Sequence, residues 1–303
     1  MVNQHGWSKC SVPAPVHEKA RCAFYNHRGC ISTVKALVLT GYGLNCDCET
    51  AHALKQVGAE AHRIHVNSLL WGEENLDDYH IFVFDGGFSY GDDHGAGVIL
   101  AMKIRYRLGE AFEKFIEAGK LVLGICNGFQ VLVNMGLLPG LAENPRKRQV
   151  ALTCNDCGNF RDQWVHLAVN DKSPCVFTKD IHHLELPIRH GEGKFYAAGE
   201  IVSTLFERNQ VVIQYATEDF EIANGKFPEN PNGSFADIAG ICDATGRVFG
   251  LMPHPEAFAH WSNHPDWTRK MRVKGTSGDF MKKESPGLLI FRNAVEYCRN
   301  ILM

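Results

Sequence analysis

The segment Gly124-Ile125-Cys126-Asn127-Gly128 sets one thiol between two glycines. It has the spacing of the G-x-S-x-G nucleophile elbow, with cysteine in place of serine. A backbone that doubles back beside a nucleophile needs small neighbours, and both flanking positions supply them. The apolar run Leu121–Ile125 before the thiol and Phe129–Asn134 after it predict strand, turn and helix. Cys126 then stands at a helix N-terminus, where the partial positive charge favours an anion at sulfur. The bland alternative is a buried cysteine that merely ends a strand. A thiol nucleophile needs a base, and Met252-Pro253-His254-Pro255-Glu256 offers one. Two prolines predict an extended loop, in which His254 and Glu256, two residues apart, point to the same side. The carboxylate can then orient the imidazole and complete a Cys126–His254–Glu256 triad. Acyl transfer also needs donors for a developing oxyanion. Asp85-Gly86-Gly87-Phe88 follows a predicted strand at the same sheet edge as Cys126, so the N–H groups of Gly87 and Asn127 are assigned to that hole.

Those residues must be carried by a scaffold. Lys35–Thr40, Glu60–Val66, Ile81–Asp85 and Leu121–Ile125 read as buried strands. Asp47–Gly58 and a long stretch holding Val98, Ala101, Met102, Arg105, Leu108, Phe112 and Phe115 read as the helices between them. Strand–helix alternation implies parallel strands and right-handed crossovers, hence an α/β, doubly wound, mostly parallel sheet. Short alternating segments follow (Trp164–Val169, Val211–Tyr215, Ile238–Cys242) and predict added antiparallel strands. Val248–Met252 reads as a strand leading to His254, residues 258–286 as a long loop or insertion, and Leu288–Leu302 as a closing helix.

The chain's 303 residues can bury a full core without staples, and 45% hydrophobic with 21% charged residues is ordinary globular composition. Lys+Arg 31 against Asp+Glu 34 leaves a net charge of −3, which lacks the basic footprint of a nucleic-acid binder. No apolar run approaches bilayer length, so no membrane association is expected. Eleven cysteines cannot all pair within one chain, and no apolar signal segment opens the sequence. A reducing cytoplasm is the expected location. Residues 1–33 read as an N-terminal extension, loosely ordered, ahead of a domain over 34–303. Cys10, Cys22, Cys30, His5, His17 and His27 leave a small metal-binding extension as the alternative, although no Cys-x-x-Cys pair occurs there. Cys154-Asn155-Asp156-Cys157 is a lone Cys-x-x-Cys. With Cys175 and His182-His183 downstream it suggests zinc or redox chemistry, against the simpler reading of ordinary loop cysteines. No metal site is assigned.

Together the motifs resemble the class I (triad) glutamine amidotransferases, whose sheet is flavodoxin-like. More narrowly they resemble the PurQ family, glutaminase subunits of phosphoribosylformylglycinamidine synthase. The match rests on Gly43-Leu44-Asn45-Cys46-Asp47, Gly86-Gly87-Phe88-Ser89-Tyr90-Gly91-Asp92, Gly124–Gln130, His190-Gly191-Glu192-Gly193 and Met252–Glu256. Asn232-Gly233-Ser234 and Ile238-Ala239-Gly240 add to it, and it spans about residues 34 to 300. The resemblance implies hydrolysis of L-glutamine to glutamate and ammonia, with Cys126 as nucleophile, His254 as general base and then acid, and Glu256 as orienting carboxylate. It also makes Phe88, Gln130, His190 and Glu192 candidates for the glutamine pocket. No cofactor is expected on this chain. ATP and magnesium belong to a PurL-like synthetase partner, with a small PurS-like subunit as a further partner. The chain departs from the family after Gly91-Asp92, where Asp93-His94-Gly95 replaces the usual Leu-Arg pair. A paralogue serving another acceptor and a non-catalytic glutamine-sensing subunit are the competing readings.

Overall fold

The computed structural model describes residues 33–141, 147–273 and 283–303. The expectations for residues 1–32 and their cysteines and histidines, and for the middle of the 258–286 segment, lie outside the described residues. The first half of the chain alternates: β1 (Lys35–Thr40), α1 (Asp47–Gln56), β2 (Glu60–His65), α2 (Val66–Leu70), β3 (Ile81–Phe84), α3 (Val98–Glu117), β4 (Leu121–Ile125) and α4 (Asn127–Met135). The second half supplies β5 (Val150–Cys154), β6 (Arg161–Val169), β7 (His183–His190), β8 (Glu192–Ala197), α5 (Gly199–Glu207), β9 (Val211–Ala216), β10 (Ile238–Cys242), β11 (Val248–Leu251), α6 (Trp267–Val273) and α7 (Pro286–Tyr297). Among the described residues, nine strands form one sheet in the order β2-β1-β3-β4-β11-β10-β9-β6-β7, and β5 pairs with β8.

The five strands from β2 to β11 are parallel to their neighbours. Strands β3 and β4 are buried at every position, as their unbroken apolar runs require when both faces are covered. Beyond β11 the pairings are antiparallel through β10, β9, β6 and β7. The predicted doubly wound sheet with added antiparallel strands is therefore present. The carboxyl ends of β1, β3, β4 and β11 share one edge, where a parallel sheet opens its ligand crevice.

Local differences from the sequence reading have simple causes. Helix α3 buries Leu100, Ala101, Ile104, Phe112 and Phe115, while Met102 and Arg105 face outward. Met102 lies two residues from Leu100, about 200° around a helix, so it cannot join the stripe that the i, i+4 pair Leu100–Ile104 begins. The short α2 and the crossover α5 escape a reading based on long periodic stretches. The 258–286 segment is not all loop. A 3-10 turn at Trp261–Asn263 and α6 occupy its described part, and α7 passes into a π turn over Cys298–Leu302. That segment is fixed to β7 by Glu185, which accepts from His264 Nε2 at 2.7 Å and pairs with Lys270. The Trp164 ring packs on Phe258 and His264 at 4.9 and 4.4 Å. No helix among the described residues is long and apolar enough to cross a membrane.

Burial opposes ionisation of Glu185, but Lys270 and His264 outweigh it and hold its carboxyl below the ordinary value. A depressed carboxyl contributes stability above its unfolded pKa, which is lost as pH falls through the folded one. In thermal unfolding, the Tm gap between wild type and Glu185→Gln is expected to be full near neutral pH and to close below about pH 4.5. A gap that stays constant down to about pH 3 would show that the carboxylate charge does not hold this segment.

Candidate active site

The turn at Cys126 is built from close approaches. Strand β4 ends at Ile125, α4 begins at Asn127, and Cys126 between them takes φ 50°, ψ −105°. A non-glycine residue there is strained and persists only where its surroundings fix it. The Cys126 N–H donates to Leu251 O at 2.8 Å. A Cβ on Gly128 would lie 2.0 Å from Phe84 O, and one on Gly124 2.7 Å from Gly128 O. The two glycines thus let α4 spring directly off β4 against β3, which leaves the thiol at the sheet edge.

His254 follows β11, and its N–H donates to Pro187 O of β7 at 2.8 Å. Its buried Nδ1–H donates to Glu256 Oε1 at 2.6 Å. The segment is not extended throughout, as the prolines suggest. Pro255 opens a 3-10 turn over Pro255–Phe258, and this turn brings the Glu256 carboxylate back to the imidazole. Nε2 of His254 and Oε2 of Glu256 are buried without a protein partner. Burial, the largest influence on His254, opposes its charge. The Glu256 carboxylate, then the nearby charge of Cys126, outweigh that and raise His254 well above its ordinary value. Nε2 is therefore the nitrogen free to exchange a proton with the thiol.

Arg189, at the end of β7, touches all three residues. Its carbonyl accepts from Cys126 Sγ at 3.7 Å, and its Nη2 lies 3.4 Å from Glu256 Oε1 and 3.3 Å from His254 Nδ1. Since Nδ1 already donates to Glu256, the guanidinium faces another donor there, and the two cations share one carboxylate oxygen. Cys46, in the loop after β1, lies 4.0 Å from His254 Nδ1 and 3.9 Å from Arg189 Nη2. Burial pushes its thiol up, against the lowering effect of the His254 hydrogen bond.

Gly87 and Asn127, the expected oxyanion donors, meet the same edge. Leu44 and Gly87 form a bridge whose bonds run from Phe88 N to Gly43 O (2.9 Å) and from Asn45 N to Gly86 O (3.2 Å), leaving the Gly87 N–H outside the pairing. At φ 149° a Gly87 side chain would meet Gly43 O at 2.6 Å. The Asn127 N–H belongs to the first turn of α4, where no intrahelical acceptor exists. Its side chain donates to Asp92 Oδ1 (3.0 Å) and Gln130 Oε1 (2.9 Å) and accepts from Ser89 N (3.3 Å).

A cavity of about 220 Å³ opens beside Cys126 and Gly87, and Phe88, Gln130, His190 and Glu192 all line it. The four pocket candidates are therefore brought together with the thiol. His190 is kept neutral. Burial, then the charge of His254, lowers it to about 3, and its Nδ1–H donates to Asn155 Oδ1 at 3.1 Å. Gln130 has its amide engaged by Asn127 and by Glu192 O, so it shapes the wall. Arg189, Phe160 and Asp92 line the cavity too. Sequence reasoning misses Arg189 and Phe160 and takes Cys46 and Asp92 only as parts of matching strings. The available signal was a lone cation at the end of β7, next to His190. Cys154 and Cys157 carry free thiols, and Cys157 Sγ–H donates to Asn159 O. Among the described residues, the only close group of three metal-type donors is Cys46, His254 and Glu256. A larger cavity of about 670 Å³ lies beside Cys175, Lys179 and Asn293.

A strained thiol, a buried imidazole–carboxylate pair and free backbone donors beside a small polar cavity can perform acyl transfer from an amide. The family model for the CobB/CobQ-like glutamine amidotransferase domain matches residues 33–298. The phosphoribosylformylglycinamidine synthase subunit PurQ of Methanococcus maripaludis is 46% identical over 87% of this chain and 97% of its own. That of Dehalococcoides mccartyi is 45% identical over 89% of this chain and 100% of its own. Among solved structures, PurLQS from Thermotoga maritima contains a chain that superposes with a TM-score of 0.63 at 30% identity, over 88% of this chain and 99% of that one. The chain belongs to the PurQ family of glutamine amidotransferases.

The raised charge state of His254 is open to direct measurement. Glu256→Gln removes the carboxylate and leaves burial to oppose the imidazolium. The His254 titration midpoint, followed by NMR of labelled histidine, is expected above 6.5 in wild type and lower in the variant. Identical midpoints would separate Glu256 from control of the imidazole.

Proposed function

We propose that this chain is the glutaminase subunit of phosphoribosylformylglycinamidine synthase. It hydrolyses L-glutamine to glutamate and ammonia. The ammonia passes to a synthetase subunit that makes formylglycinamidine ribonucleotide in de novo purine biosynthesis. The observation that carries the reading is the junction of Cys126 and Gly87 with Phe88, Gln130, His190 and Glu192 around one small cavity, with the His254–Glu256 pair behind the thiol.

Cys126 sulfur attacks the side-chain amide carbon of glutamine while its proton passes to Nε2 of His254. The carbonyl oxygen becomes an oxyanion, held by the N–H groups of Gly87 and Asn127. His254 then protonates the leaving nitrogen, and ammonia departs from the thioester. Water, deprotonated by the same imidazole, releases glutamate and restores the thiol. Glu256 orients the ring and stabilises its charged form throughout. The partners are a PurL-like synthetase, which holds ATP and magnesium, and a PurS-like subunit. A glutaminase that fired alone would waste glutamine, so docking of the synthetase is expected to raise activity, with the 89–95 loop as the gated element. The cytoplasm suits a nucleophile that must stay a thiol.

The test is ADP release by the reconstituted complex with formylglycinamide ribonucleotide and ATP. Cys126→Ser is expected to abolish synthesis from glutamine and to preserve synthesis from ammonium salt, because ammonia enters after the thiol step. Loss of both in an assembled complex would remove Cys126 from its role, and failure of the wild-type pair with glutamine would refute the assignment. We further propose that residues 34–303 form the amidotransferase domain. A chain starting near Thr33 is expected to fold and to support glutamine-dependent synthesis at the full-length rate. Loss of folding on removing the first 32 residues, with zinc restoring the full-length chain, would instead assign them a metal-binding role.

A further inference from the structure

Cys46, His254 and Glu256 present a thiol sulfur, an imidazole nitrogen and a carboxylate oxygen within 4.8 Å of one another, all buried. They come from the loop after β1 and the turn after β11, and Gly86 makes their approach possible. A Cβ at Gly86 would lie 2.7 Å from His254 Cε1 and 3.1 Å from Cys46 Sγ. The same three atoms converge on a positive charge. Arg189 Nη2 lies 3.3 Å from His254 Nδ1, 3.4 Å from Glu256 Oε1 and 3.9 Å from Cys46 Sγ. The Glu256 carboxylate holds the guanidinium there, and the Arg189 side chain, about one-third exposed, has room to withdraw.

We propose that Cys46, His254 and Glu256 form an inhibitory site for a thiophilic divalent cation, zinc above all, which replaces the Arg189 guanidinium. The proposal rests on the glutaminase reading for its consequence, not for its geometry. Sulfur, nitrogen and oxygen donors together suit zinc. Tetrahedral zinc, with bonds of about 2.0–2.3 Å, places its donors about 3–4 Å apart. The present 2.6 Å between His254 and Glu256 and 4.0 Å between Cys46 and His254 need to change by less than about 1 Å. A route exists behind the triad, where a cavity of about 510 Å³ is lined by Cys48, Glu49, His52, Arg189, Glu256 and His260. Arg189 lines both this cavity and the one beside Cys126, so its departure opens the way between the back of the triad and the bulk.

The chemistry conserves charge and atoms without oxidation. Zinc takes the Nδ1 lone pair once the Nδ1 proton has left to water, joins the Glu256 carboxylate, and binds Cys46 as thiolate after that thiol too has released its proton to water. The neutral imidazole then carries its proton on Nε2. That nitrogen no longer accepts a proton from Cys126, and glutamine hydrolysis stops while the nucleophile itself remains untouched.

Two measurements on the full-length protein test this. In the complex with its synthetase, glutamine hydrolysis is titrated with zinc ion held by a metal buffer, each variant referred to its own zinc-free rate. Cys46→Ala is expected to lose at least about 10-fold in zinc sensitivity and Arg189→Ala to gain it. Equal sensitivity of wild type and Cys46→Ala would overturn the site. In the Cys126→Ser chain, where no hydrolysis is required and Cys46 is intact, zinc is expected to move labelled His254 to the Nδ1-metallated, Nε2–H form by NMR. A His254 signal indifferent to zinc there would place the metal on Cys126 and refute the proposal. A failure to hydrolyse glutamine without zinc would instead refute the glutaminase reading and leave the NMR result standing.

Discussion

The site depends on one packing constraint, the contact of the first turn of α4 with the end of β3. Gly128 lies so close to Phe84 O that no side chain fits between them. The register Phe84↔Gly124 between β3 and β4, and Gly124↔Gly250 between β4 and β11, holds the three strand ends level. With those ends fixed, the chain has no path from β4 into α4 except through a left-handed φ at Cys126. Backbone strain of this kind costs on the order of 1–3 kcal/mol and must be offset by what surrounds it. Helix α4, buried at every position except Asn134, provides that compensation.

The same strand ends determine the electrostatics. Asp85 lies at the end of β3, fully buried, with both carboxyl oxygens unpartnered. Burial, then the nearby Asp47 charge, lifts its carboxyl well above the ordinary range. Glu256 is the carboxylate that bonds the imidazole. Arg189 competes with His254 for that single oxygen, which bears the whole balance between an oriented base and a captured carboxylate. The guanidinium is therefore a determinant of the triad even though it need never touch the reacting atoms.

Much of this was legible in the sequence because local rules carried it. Paired glycines around Cys126, an apolar run before it and the Pro-His-Pro-Glu string each imply geometry within a few residues. The Gly86-Gly87 turn was readable for the same reason. The turn that brings Glu256 to His254 was readable only in outcome: an extended segment and a 3-10 turn both unite residues two apart, and the prolines do not distinguish them. Met102 illustrates the opposite error, since an apolar residue near helical spacing is not thereby on the buried face. Arg189 had only a weak local signature, a cation beside His190. Its position follows from β7 lying at the far end of the antiparallel half of the sheet, with Pro187 O accepting from His254 N across the chain. Contacts of that kind are set by topology, which residue spacing does not encode.

The antiparallel half thus has a role in the chemistry beyond enlarging the core. Strands β10, β9 and β6 carry β7 around to the sheet edge that the parallel strands have built. The end of β7 then divides the space there. On one face, Arg189 and His190 border the cavity that holds Cys126. On the other, Arg189 borders the cavity that reaches Glu256. Cys126 and Glu256 therefore border separate cavities, with the Arg189 side chain common to both. A group that reached Glu256 through the second cavity would act on the His254–Glu256 pair without entering the cavity beside Cys126.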